Sequence, residues 1–76
     1  MNEVVEVFVS LLDEGVDVRR PVRAEHLQGN VYLIVDQPYD REIENWEFEP
    51  GNEVICEMVD SKEGQILAAN GLAPRS

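Results

Sequence analysis

Between Glu3 and Leu12, apolar side chains recur at every second position: Val5, Val7, Val9 and Leu11. That period of two belongs to a β-strand and is incompatible with one face of a helix. The intervening positions, Val4, Glu6, Phe8, Ser10 and Leu12, are themselves largely apolar. A half-buried strand shows water a polar outer face. This strand is therefore expected to be covered on both sides, by its own core on one and by another surface on the other. Val4, Phe8 and Leu12 are the residues expected to make the second contact. The simplest arrangement is a symmetric homo-oligomer, a dimer or its doubling to a tetramer.

The same period returns along the chain, separated by turn signals. A second strand is expected from Val18 to Leu27, with Pro21 inside it. Pro21 removes a ladder donor and so belongs at an edge or a bulge. Gly29-Asn30 marks a hairpin into Val31–Val35. Trp46 and Phe48 alternate with Glu47 and Glu49, restoring the strand period, and Pro50-Gly51 fits the centre of a type II turn. Further strands are expected over Glu53–Val59 and Gln65–Ala69, joined by the polar turn Asp60–Gly64. Asp13-Glu14-Gly15 reads as a turn, with Gly15 free to adopt positive φ. The longest connection is Asp36–Asn45, where Asp40 is a good N-cap for a short helical turn over 40–45. The reading is one all-β domain over residues 1–69, a small five-stranded antiparallel barrel, followed by a frayed tail over 70–76.

The stretch Trp46-Glu47-Phe48-Glu49-Pro50-Gly51-Asn52-Glu53-Val54 resembles a feature of small SH3-like barrels, in which a Pro-Gly turn leads into an apolar strand. With Leu11-Leu12-Asp13-Glu14-Gly15 and Arg20-Pro21-Val22, it also resembles short uncharacterised bacterial proteins, some of them carried on mobile (integron) gene cassettes. That resemblance spans roughly residues 5–68. It implies the SH3-like barrel and nothing about activity, ligand or site.

Seventy-six residues leave room for one core, and domains this small commonly lean on disulfides, a metal or oligomerisation. Cys56 is the only cysteine, so no disulfide forms within the chain. It lies in the apolar run Val54-Ile55-Cys56-Glu57-Met58 and reads as a small buried hydrophobe in a reducing cytoplasm. Its neighbours Glu53 and Glu57 would raise a thiol pKa, which disfavours a nucleophile. One cysteine and one histidine, His26, do not make a structural zinc site. Oligomerisation is the support that remains.

Sixteen acidic residues against six basic ones give a formal charge of −10. That charge repels phosphate backbones and argues against nucleic-acid binding. No stretch approaches the length of a membrane span, and Met1-Asn2-Glu3 lacks the character of a signal peptide. The expected location is the cytoplasm. Arg19, Arg20 and Arg23 cluster within five positions; pairing with the protein's own carboxylates is the first reading, and an anion site the second. Seven carboxylates fall between Asp36 and Glu53; a solvated acidic face is the first reading, a surface that docks a basic partner the second, and a calcium site, whose loop glycine and spacing are missing, the third. Tyr39 and Trp46 flank this tract, so Tyr39, Trp46, Asp40, Glu42 and Glu44 form the candidate partner-binding set. A core or interface role is the stronger reading for the tryptophan.

No catalytic, cofactor-binding or metal-ligating constellation is present. Ser10 and Ser61 sit in no nucleophile motif, and Glu25 points away from His26 across a strand. The leading expectation is a non-enzymatic, self-associating barrel module. Behind it stands an acidic adaptor or inhibitor that binds a basic protein or mimics nucleic acid. An enzyme with a Cys56-His26 site assembled between subunits ranks third.

Overall fold

The computed structural model describes residues 3–14 and 18–74. Five strands run in chain order: β1 (Val4–Ser10), β2 (Arg19–Gln28), β3 (Val31–Ile34), β4 (Glu53–Ser61) and β5 (Gly64–Leu72). Each pairs with the next, and β5 closes back on β1, which makes a closed barrel. The all-β, five-stranded barrel expected from the residues is the observed one.

Its closure is not antiparallel, and parity explains why. Four successive antiparallel pairings leave β1 and β5 pointing the same way, so a closed five-stranded meander must shut with a parallel pair. The β1–β5 seam is parallel, with Phe8 opposite Ala68 as its only register pair. By contrast, β1 pairs with β2 from Val4↔Glu25 to Ser10↔Arg19, and β4 with β5 from Val54↔Leu72 to Ser61↔Gly64. The barrel is therefore two long ladders joined through short β3 and zipped at one point.

β2 serves both halves. Its residues 19–25 pair with β1, whereas pairing with β3 begins at Ala24. Pro21 falls in the half with β1 on one side only, where its missing N–H is tolerated. At the junction, the Gln37 side chain acts as a stand-in strand. Its Oε1 accepts from the Arg23 N–H at 3.0 Å, and its Nε2 donates to the carbonyls of Arg23 at 2.9 Å and Val35 at 2.8 Å.

The turns follow their residues. Gly29 takes φ 52° in the β2–β3 hairpin, the left-handed value a tight two-residue turn requires. Gly51 takes φ 97°, and the Asn52 N–H donates to the Glu49 carbonyl at 3.0 Å, as a type II turn demands.

The short turn expected at Asp40 is present as a single turn, with no helix among the described residues: the amides of Ile43 and Glu44 both donate to the Asp40 carbonyl at 3.0 Å, and the Asp40 carboxylate caps the Glu42 N–H at 2.8 Å. Two expectations need correction. Trp46–Glu49 is no strand; it contributes only an isolated bridge, Leu11↔Trp46. The last strand does not end at Ala69 but reaches Leu72: Asn70 is an extra, unpaired residue of β5 opposite the Ile55–Cys56 step of β4, and past this bulge Gly71 and Leu72 pair with Ile55 and Val54. The expected positive φ at Gly15, the reading of Met1-Asn2 and the end of the tail at 75–76 lie outside the described residues.

The interior is filled by Val7 and Val9 from β1, Leu11 just beyond it, Val22 and Ala24 from β2, Ile34 from β3, Val54 and Cys56 from β4, and Ala69 from β5. Trp46 and Phe48 enter from the 35–52 connection and cap one end. Burying each Val, Leu or Ile of this set contributes roughly 1.5–3 kcal/mol.

Candidate interaction surfaces

Two regions hold the residues the sequence singled out. The first is the connection between β3 and β4, which carries the acidic tract. Trp46 is only 4% exposed. Its indole Nε1 donates to Glu44 at 3.1 Å, and its ring meets that of Tyr39 at 4.3 Å between centroids. The Tyr39 hydroxyl accepts from the Trp46 N–H at 3.0 Å. Glu44 in turn pairs with Arg20 at 3.3 Å. Arg41 grips Glu49 through both nitrogens, Nη2 to Oε1 and Nε to Oε2, each at 2.8 Å. Hydrogen bonding from the Tyr39 hydroxyl, then from Arg41, holds the Glu49 carboxyl below the usual carboxylate range. The connection is tied to β1 by backbone bonds from Leu12 to Asn45 at 2.8 Å and from Glu47 to Ser10 at 2.9 Å, and by the Asn45 amide bonding Asp13. Of the candidate partner-binding set, Trp46 and Tyr39 thus pack inward, Asp40 and Glu44 have partners inside the chain, and Glu42 is exposed.

Strand alternation divides the arginine cluster. Arg19 and Arg23 share the outer face of β2, opposite Ser10 and Glu6 of β1. Arg20 lies in the opposite phase and reaches Glu44. The three guanidinium groups do not converge on one point.

The second region is the outer face of β1. Val4 is 56% exposed, with Phe8 half-buried in the same phase of the strand, and Leu12, in the turn just beyond β1, is 61% exposed. Phe8 stands beside Pro21 on β2 and Ala68 on β5. Ala68 is buried yet outside the interior cluster, so its cover comes from this outer side, where Phe8 is its neighbour. Next to Phe8 opens a groove of about 810 Å³ between this face and the tip of the β4–β5 hairpin. Phe8 and Ile66 line it, with Arg19, Asp60, Lys62 and Glu63 around them. Ile66 was not singled out from the sequence. The signal was present: Ile66 and Ala68 alternate with Leu67 and Ala69, so β5 has two apolar faces just as β1 does.

His26 and Cys56 are both engaged structurally. His26 Nε2 donates to the Gly29 carbonyl at 2.7 Å, and the ring stacks on Tyr32 at 4.8 Å, so it pins the β2–β3 turn. Cys56 is buried, and burial pushes its thiol from the ordinary 9.0 up to about 11. Among the described residues, no group of three or more His, Cys, Asp or Glu side chains is placed to hold a metal ion, and no helix is long and apolar enough to cross a membrane. Comparison with protein-family models, with curated proteins and with solved structures finds no match.

Proposed function

We propose that this chain is a non-enzymatic barrel module, SH3-like in type, that self-associates through the outer face of β1. One observation carries the reading: the row Val4, Phe8 and Leu12 points out of a barrel whose interior is already filled. The row borders the parallel β1–β5 seam, where a single register pair joins the two strands. A second surface laid over Phe8 covers the apolar side chains and braces the seam together. Against catalysis speak the engagement of His26 with Gly29 and the protonated, buried Cys56 thiol. A reducing cytoplasm suits a lone buried cysteine. The SH3-like assignment rests on the Pro50-Gly51 turn feeding β4.

The test is a Phe8→Glu variant, which places a charge at the centre of the row. It is expected to run as a monomer where the unmodified chain is a dimer or tetramer. Because Phe8 also braces the seam, a Val4→Lys, Leu12→Lys double variant checks the result at two exposed positions. An assembly that survives both variants contradicts the proposal.

An acidic adaptor for a basic protein is the second reading, supported by the −10 charge. The two readings respond differently to salt. Capture of a basic partner through the acidic tract is lost as screening rises, whereas association centred on an apolar row persists.

A further inference from the structure

The groove beside Phe8 differs in charge from the rest of the molecule. Arg19 and Lys62 offset Asp60 and Glu63 within it, although the chain as a whole stands at −10. Among the described residues the only ion pairs are Arg20 with Glu44 and Arg41 with Glu49, so none joins these four groups. The hairpin that carries three of them is held in shape: Ser61 Oγ donates to the Gly64 carbonyl at 2.7 Å and accepts from the Glu63 N–H at 3.2 Å. A partner surface of one sign would leave two of the four charges facing their like. A second copy brings the same two cations and two anions around the same apolar floor. Across a two-fold axis each patch meets itself, so a patch with balanced, unpaired charges can satisfy both copies at once.

We infer that this groove is the two-fold interface of a homodimer, with Arg19 and Lys62 of one copy set against Asp60 and Glu63 of the other. The inference deepens the proposed self-association and rests on it. Phe8 and Ile66 supply the apolar centre, and the four charges fix register and exclude other partners.

Charge exchange tests it. One variant carries Arg19→Glu with Lys62→Glu, the other Asp60→Lys with Glu63→Lys. Each alone is expected to lose at least about tenfold in self-affinity, because every cross-axis pair becomes a repulsion. Mixed in equal amounts, they are expected to form a heterodimer near twice the 8.6 kDa chain mass by light scattering, with circular dichroism showing both folded. Each reversal shifts the charge by two, so both variants remain net negative and bulk attraction cannot bring them together. Single reversals, Lys62→Glu mixed with Asp60→Lys, repeat the test should a double variant fold poorly. If the separate variants still dimerise, or if the mixture stays monomeric, the pairing is wrong. A wild-type dimer that Phe8→Glu dissolves while the reversals leave it intact overturns only the charge pairing. A wild-type monomer overturns both this inference and the self-association beneath it, and leaves the groove to a different protein.

Discussion

The acidic connection between β3 and β4 and the groove beside Phe8 treat their chemistry in opposite ways. In the connection, the aromatic rings and the carboxylates nearest them are spent on the fold: Trp46 is buried, Glu44 holds both its indole and Arg20, and Glu49 holds Arg41, while Asp36, Glu42 and Glu47 face water. In the groove, Phe8 and Ile66 lie on the outer surface, and the four surrounding charges are unpaired among the described residues. By sequence alone the acidic tract is the more conspicuous of the two. The comparison teaches that density of charge and aromatics marks a surface for binding less well than chemistry left unsatisfied does.

Mutation of the connection breaks the comparison most severely if the reading is wrong. Trp46→Ala is expected to cost about 3–5 kcal/mol in urea unfolding, because it empties the capped end of the barrel. A loss below about 1 kcal/mol would return Trp46 to the surface as a ligand group. The next effect is the pH dependence set by Cys56. Between pH 9 and about 11 the unfolded chain gives up a thiol proton that the folded chain keeps. The unfolded state then binds fewer protons, so stability falls as pH rises, by about 2 kcal/mol over that window. Cys56→Ala is expected to flatten that alkaline limb, and the native thiol to resist aromatic disulfide reagents at neutral pH.

Tyr39→Phe removes the acceptor for the Trp46 N–H and the hydroxyl that bonds Glu49. It is expected to cost about 1–2 kcal/mol in the same unfolding assay, with no change in association state. The smallest effect belongs to Glu49. Its folded carboxyl titrates below its ordinary 4.5, so its contribution is present above that pH and is lost as pH falls through the folded value. Glu49→Gln is expected to make acid unfolding slightly less steep. The pair is exposed, so the change should be near the limit of detection and should shrink further in salt.

The fold was legible wherever a local rule decided it. Period-two runs located β1 to β5, and Gly29-Asn30 and Pro50-Gly51 were readable as turns because their φ values leave few alternatives. What could not be read was non-local. The parallel seam follows from the parity of strands around a closed ring, a property of the whole chain and of no segment. Trp46 and Phe48 alternate like a strand, and both are buried, yet they form no ladder, because their place is set by a single bridge to Leu11. The three arginines are neighbours in sequence, but strand alternation sends Arg20 to the opposite side from Arg19 and Arg23. The row Val4, Phe8, Leu12 was visible as a surplus of apolar faces. Its complement on β5 and the hairpin charges emerge only when the barrel closes.

The central claim is that the outer face of β1 is covered by a second copy of this chain. Light scattering coupled to size exclusion, at low and at high salt, measures it directly. The account predicts about twice the 8.6 kDa chain mass, or a further doubling, at both salts. A species of about 8.6 kDa under both conditions would contradict it.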